Sequence, residues 1–271
     1  ASVVMSIDLG NTFVKNGLIR HGQNPDMVTD EAGRKFPGFV YLSGRERHVA
    51  DKAKDRFRRN PHDTFGHFVC LCATDGSDGA VDAFEELFPF HSVLRTGNAS
   101  AVAFSDGRGD AHPVDEMLAV LLDYSFERSA RFAGGKVSFA TVAVPGYFSQ
   151  AQRRALLSVA DLRSLKIDAL INANLAAAYY HALFHQPDQA AAFAYVMVVD
   201  VGAMGVQASV FNLSRSPPSL STLSSRSERM VGTAALTAVI RDMIARRVSR
   251  SVPDEDKRDP RFMARLTAHA E

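Results

Sequence analysis

Two stretches of this chain, far apart in sequence, repeat one pattern. Val3-Val4-Met5-Ser6-Ile7-Asp8-Leu9-Gly10-Asn11-Thr12 opens it, and Ala194-Tyr195-Val196-Met197-Val198-Val199-Asp200-Val201-Gly202-Ala203-Met204-Gly205 returns downstream. Each is an apolar run that ends in Asp-aliphatic-Gly, turns tightly and runs on as a second apolar segment. Glycine permits positive φ and a close approach of backbone to ligand. Successive turn amides form a concave anion site. A carboxylate beside such a site repels phosphate but can hold a hydrated Mg²⁺ that bridges to phosphate oxygens. Two such hairpins, one per half of the chain, would grip a polyphosphate from opposite sides.

A chain of 271 residues can bury a large core and hold one large or two modest domains. Lys+Arg 31 against Asp+Glu 30 leaves a net charge of +1, so no basic field points to nucleic acid. No run approaches the roughly 18 apolar residues that cross a bilayer. The chain enters a strand at once, and no signal peptide is expected in it. Cys70 and Cys72 are too close in sequence for an unstrained disulfide and read as buried thiols.

Hydrophobic periodicity then sets the order of elements. Strands are expected at 3–9 and 13–20, and a third at 36–42 with Pro37 near its start. A basic helix follows at 50–60 and stops at Asn60-Pro61. Asp106-Gly107-Arg108-Gly109-Asp110 reads as a hairpin tip. Pro113 starts an amphipathic helix over 114–132, with Met117, Leu118, Leu121 and Leu122 on its apolar face. The apolar strand at 137–144 reads as buried on both faces. Ser149 and Gln152 form a capping box for the next helix. A short strand near 170–172 leads into a helix at 175–184, where His181 and His185 read as polar-face residues rather than metal ligands. Strands at 195–201, 206–213 and 219–226 restart the pattern. Gly232 introduces a helix at 234–247 whose N-terminus faces the second hairpin and favours an anion, and a last helix runs over 260–270. The order is a duplication of mixed α/β units, with a ligand cleft expected between them.

The residues carry a resemblance to a known family. The chain resembles the nucleotide-binding domain of the seventy-kilodalton heat-shock chaperones, within the actin and sugar-kinase superfamily. Ile7-Asp8-Leu9-Gly10-Asn11-Thr12 is similar to its first phosphate motif, and Asp200-Val201-Gly202 to its second. Val231-Gly232-Thr233 resembles its third phosphate loop, and Val142-Ala143-Val144-Pro145-Gly146-Tyr147-Phe148 its hinge strand. Asn60-Pro61, Asn172-Ala173-Asn174 and the segment from Asp259-Pro260-Arg261 to Leu266 are more similar to the large hypoxia-up-regulated, glucose-regulated branch of the endoplasmic reticulum lumen. The resemblance implies a duplicated actin-like (ribonuclease-H-like) two-lobe α/β fold, with lobe I at 1–186 and an incomplete lobe II at 187–271. It implies ATP or ADP as ligand, held by Gly10, Asn11, Thr12, Gly202, Ala203, Met204, Gly232, Thr233 and Glu271. It also implies Mg²⁺ held through water by Asp8 and Asp200. It implies a stress-response chaperone or nucleotide-exchange role, with a partner chaperone of the same superfamily and unfolded polypeptide clients.

Departures from the family pattern bear on chemistry. The lysine that orients the attacking water falls near Val69, an acidic residue that helps hold hydrated Mg²⁺ at Ala173, and a further aspartate at Gln207. Phosphoryl transfer depends on positioning and on stabilisation of charge. Losing one such group commonly costs on the order of a hundredfold in rate. Nucleotide binding is therefore expected to outlast hydrolysis. Two sequons, Asn98-Ala99-Ser100 and Asn212-Leu213-Ser214, fit a luminal protein. Two other readings stay open: a nucleotide-independent scaffold that docks a partner chaperone, and a carbohydrate kinase, which would need a further cleft aspartate.

Overall fold

The computed structural model describes residues 3–31, 33–74, 79–95, 102–184, 193–215, 218–248 and 259–271. In chain order its first half contains β1 (Val3–Leu9), β2 (Phe13–Arg20), β3 (Asp26–Met27), β4 (Lys35–Pro37), β5 (Val40–Ser43), β6 (Glu46–Val49), α1 (Asp51–Phe57), β7 (Thr64–Phe65), α2 (Ala80–Leu87), β8 (Ser92–Arg95), β9 (Val102–Ser105), β10 (Ala111–Pro113), α3 (Val114–Ala133), β11 (Phe139–Val144), α4 (Gln150–Leu162), β12 (Ile167–Asn172) and α5 (Ala173–Phe184). The second half contains β13 (Phe193–Val201), β14 (Gly205–Arg215), β15 (Pro218–Arg229), α6 (Thr233–Val248) and α7 (Pro260–Ala270).

The main sheet runs β12-β11-β1-β2-β3, with β4 also paired to β2. β1 is parallel to β11 and antiparallel to β2, and β11 is parallel to β12. The second half repeats the antiparallel start as β13-β14-β15. In each half the first two strands are joined by an acidic turn, so the duplication expected from the two hairpins is the architecture observed. α5 packs against β11 and β12 on one side and against β13 and β14 on the other, which ties the two sheets together.

The core follows the predicted pattern where the pattern is local. Met117, Leu118, Leu121 and Leu122 of α3 are all fully buried, together with Met5, Ile7 and Leu9 of β1. The capping box of α4 forms as read: Gln152 N–H donates to Ser149 Oγ at 3.2 Å, and Ser149 N–H donates to Gln152 Oε1 at 3.0 Å. α7 starts on Asp259, whose carboxylate accepts from Arg261 N–H at 2.9 Å, with Pro260 at the first helical position.

Three expectations need correction. The single strand at 36–42 is two strands in different sheets, β4 and β5. Gly38 N–H donates to Thr12 O at 2.9 Å, so the apex of the first hairpin captures the chain there and diverts it. Pro37, which lacks a donor, ends β4 rather than starting it. The strand at 137–144 is shorter and only one face is fully buried: Ala140, Val142 and Val144 lie inside while Phe139, Thr141 and Ala143 are half-buried. The Asn212 sequon sits within β14, paired to Tyr195 and Ser221 on either side, with its Oδ1 atom buried. A central strand is not the surface loop that glycosylation uses. The sequon at Asn98 and the residue His185 lie outside the described residues.

A buried ion pair pins α3 to the β3–β4 connection. Arg128 donates through Nε to Asp30 Oδ2 at 2.5 Å and through Nη2 to Asp30 Oδ1 at 2.9 Å and to Gly33 O at 2.5 Å. The arginine side chain is 1% exposed and the aspartate 36%. Removing the acid would strand a guanidinium away from water, whereas removing the base would leave a carboxylate that water can reach. Asp30→Ala is therefore expected to cost about 3 kcal/mol, and Arg128→Leu clearly less, as read from urea midpoints; the reverse order would contradict the asymmetry.

Burial also makes the first half acid-sensitive. Desolvation holds His67 down to about 4 and His91 to about 3. Both ring nitrogens of His91 lack a hydrogen-bond partner, and the ring lies among Phe84, Phe90 and Phe104. In the unfolded chain these groups protonate near pH 6.5. Their folded values lie below that, so the unfolded state binds more protons between the two. The contribution to stability is complete above about pH 6.5 and is lost as pH falls toward 4. Urea unfolding at pH 7.5 and at pH 5 should show a lower midpoint at pH 5, and a midpoint that rises on acidification would contradict it.

Candidate functional site

The two acidic turns open into one cleft of about 940 Å³ between the sheets. Asp8, Gly10, Asn11 and Thr12 line one wall, and Asp200, Gly202, Ala203 and Met204 line the other, with Ala173 of α5, Gln207 and Thr233 between them. Asp8 and Asp200 thus share a crevice, as the paired hairpins predicted. A Cβ on Gly10 would stand 2.5 Å from Phe13 O, so the first turn closes this tightly only with glycine.

The side-chain oxygens of Asn11 and Thr12 are engaged within the first half of the chain. Asn11 is buried, and its Oδ1 accepts from Cys70 N–H at 2.7 Å. Thr12 Oγ1 lies 3.3 Å from Nδ1 of His67, which burial keeps neutral. These contacts lock the turn onto the short 3₁₀ segment Phe68–Leu71. What the turn offers an anion is therefore its backbone.

The second turn is built with the start of α6. Gly202 N–H donates to Gly205 O at 2.9 Å. Thr233 N–H donates to Gly202 O at 3.0 Å and Ala234 N–H to Ala203 O at 3.1 Å. The α6 N-terminus faces the hairpin as expected, but two of its free amides are spent on hairpin carbonyls rather than left for a ligand. Gly232 makes this possible: a Cβ there would stand 2.3 Å from Gly202 O and 2.5 Å from Ala203 O. Gly232 itself does not line the cleft, and Thr233 does.

The replaced positions have new roles. Gln207 is 3% exposed. Its Oε1 accepts from Gly146 N–H at 2.9 Å and its Nε2 donates to Asp200 Oδ2 at 2.9 Å. One amide so links the hinge after β11 to the second acidic turn. Tyr147 packs on the same joint; a Cβ on Gly205 would lie 2.8 Å from its ring edge and hydroxyl. Burial raises the Tyr147 hydroxyl to about 12, so it stays protonated. Val69 is buried in the 3₁₀ segment and does not reach the cleft. Ala173 lines the cleft, and its side chain carries no polar atom. Glu271 lies outside the lining and pairs with Lys54, Nζ to Oε2 2.9 Å, which ties the end of α7 to α1.

Sequence reasoning missed Lys15, Lys35, Tyr147 and Asn174 as cleft residues. Lys15 Nζ sits 2.7 Å from Asp8 Oδ2. Its signal was readable: a lysine inside an apolar strand, directly across from the acidic residue in a tight hairpin. Asn174 is buried and donates to Val198 O at 3.3 Å and Ser209 Oγ at 3.1 Å, fixing the start of α5 under β13.

The donor set suits Mg²⁺ poorly. The ion takes octahedral oxygen ligands and keeps several waters, which need carboxylate acceptors around them. Asp8 already carries an ammonium and Asp200 an amide N–H, and the third acidic position is Ala173. Among the described residues no group of three His, Cys, Asp or Glu side chains can hold a metal, and no helix is long and apolar enough to cross a membrane.

Comparison with known proteins agrees with this architecture. The family model described as Hsp70 protein matches residues 4–271. Hypoxia up-regulated protein 1 of Xenopus laevis is 33% identical over 200 residues, covering 73% of this chain and 31% of that protein. The Gallus gallus protein of the same name is 28% identical over 280 residues, covering 98% of this chain and 28% of its own length. The Homo sapiens protein is 30% identical over 201 residues, 74% of this chain and 20% of its own. The chain thus spans less than a third of the length of these relatives. With the duplicated sheets, the paired acidic turns and the match along nearly its whole length, the chain belongs to the Hsp70 family and has the actin-like fold of that family's nucleotide-binding domain.

Proposed function

We propose that this chain binds adenine nucleotide in the interlobe cleft as part of a chaperone or co-chaperone, with hydrolysis weak or lost. The observation that carries the reading is the shared crevice of Asp8 and Asp200, lined by both glycine turns. Turn amides at 10–12 and at 203–204 supply neutral donors for phosphate, and Thr233 lines the cleft at the third loop. For hydrolysis the cleft lacks what the reaction needs. A buried valine stands near the expected lysine, a methyl group at an acidic position and an amide at the other. Luminal residence and a nucleotide-exchange role toward a partner chaperone are part of the same proposal, resting on the likeness to hypoxia up-regulated proteins and on no side chain in the cleft. Lobe boundaries at 1–186 and 187–271 are proposed on the same footing; the junction lies outside the described residues.

The longest folded form containing residues 1–271 should bind ADP and ATP in calorimetric titration. Phosphate release should stay at least about a hundredfold below that of an Hsp70-family domain with its charged positions intact. Gly232→Ala should push α6 off the second turn and weaken nucleotide binding about tenfold or more, since a Cβ cannot fit at that distance. Binding unaffected by the alanine would detach the third loop from the site.

A second reading is favoured by the Gln207 joint, which holds the lobes together without any ligand. On that reading the domain is a nucleotide-independent scaffold for a partner chaperone. The double variant Lys15→Met/Lys35→Met, which removes both cations of the cleft lining, separates the two. The nucleotide reading expects partner exchange to fall sharply with loss of binding; exchange at the unaltered rate would favour the scaffold.

A further inference from the structure

We infer that lysine replaces magnesium in this cleft: Lys15 and Lys35 supply the positive charge for a nucleotide's phosphates, and binding does not need the divalent ion. The inference rests on the nucleotide reading of the cleft and names the chemistry by which it works.

Three strands place three charges in one row. Asp8 of β1 is the register partner of Lys15 of β2, and Lys15 is the register partner of Lys35 of β4. Cross-strand partners share a face of the sheet, and all three residues line the cleft. Lys15 Nζ is 2.7 Å from Asp8 Oδ2, with both side chains nearly half-exposed and so open to a ligand. Lys35 Nζ stands 3.9 Å over the Phe13 ring at the turn's edge. Like charges directly opposite on a sheet are destabilising. Lys15 and Lys35 carry that cost at the mouth of an anion-binding turn, where a phosphate would relieve it.

On the opposite wall the arrangement is complementary. The Gln207 carbonyl oxygen is taken by Gly146 N–H, which fixes the amide so that its nitrogen donates to Asp200. With the side chain buried, the amide cannot flip without losing both bonds. One acceptor position of Asp200 is thereby taken by a fixed donor, which leaves fewer for metal-bound water. Among the described residues the charged ones lining the cleft are Asp8, Asp200, Lys15 and Lys35, two of each sign. A site that draws in a hydrated dication through carboxylates has an excess of acceptors. This one presents ammonium and amide hydrogens where those acceptors would be. Lysine is a compact point charge that binds phosphate without needing bidentate geometry.

The test is titration of the longest folded form containing residues 1–271 with ADP, once with free Mg²⁺ in excess and once with excess EDTA. Affinity should agree within about threefold between the two conditions. In EDTA, Lys15→Met should weaken binding about tenfold and Lys15→Arg should keep most of it; Lys35→Met should weaken it in the same direction. Lys15 is exposed enough that these variants should unfold at the parent's temperature, which a melt checks. Binding that collapses in EDTA would overturn the inference and leave the nucleotide reading standing. So would EDTA-resistant binding that neither methionine variant weakens. No binding in either condition would overturn the nucleotide reading and this inference with it.

Discussion

One buried amide holds the two halves of this molecule at the floor of the cleft. Gln207 accepts from the hinge at Gly146 and donates to Asp200 of the second turn. A carboxylate at this position would also accept from Gly146, but it would repel Asp200. The amide satisfies both neighbours, and a buried polar group with its partners satisfied is costly to pull apart. Tyr147 closes over Gly205 beside it, and the Gly232 contact seats α6 on the same turn. The position that the family resemblance assigns to an aspartate is thus used here for joining rather than for charge.

The joint has consequences for the rest of the cleft. The first turn is held from behind by Asn11 on Cys70 and Thr12 on His67. The second is held by Gln207 and by the amides of Thr233 and Ala234. Both turns are thus braced by bonds within the protein itself. Farther out, Lys54 with Glu271 and Arg241 with Leu87 O link the two halves again. Preorganisation of this kind lowers the ordering cost of binding a ligand.

One side of the second half has an open apolar face. Tyr195, Met197, Val199 and Val201 alternate along β13 and are all more than half exposed, and Leu236, Val239 and Met243 of α6 are exposed as well. Alternation with period two puts the four β13 residues on one face of the sheet. The sequence from 193 to 199 is an unbroken apolar run, which reads as a strand covered on both sides. Among the described residues only one side is covered, by α5.

How much of this was written in the sequence depends on the range of the interaction. The hairpins, the Ser149–Gln152 box, the Asp259-Pro260 start and the apolar face of α3 are decided within a few residues, by turn geometry, capping and helical period, and the chain alone determined them. The break between β4 and β5 was not local: Gly38 is captured by Thr12, a residue the chain has long passed, and no period in 36–42 signals it. The same holds at the site. Asp8 and Asp200 were legible because each ends its own strand at its own turn. That Asn11 turns inward, that Gln207 bridges the halves and that Lys15 stands between Asp8 and Lys35 were decided only when strands came into register and two halves met. Local dihedral preferences act within one element, whereas the partners of a buried polar atom are chosen by whatever the fold brings within 3 Å of it.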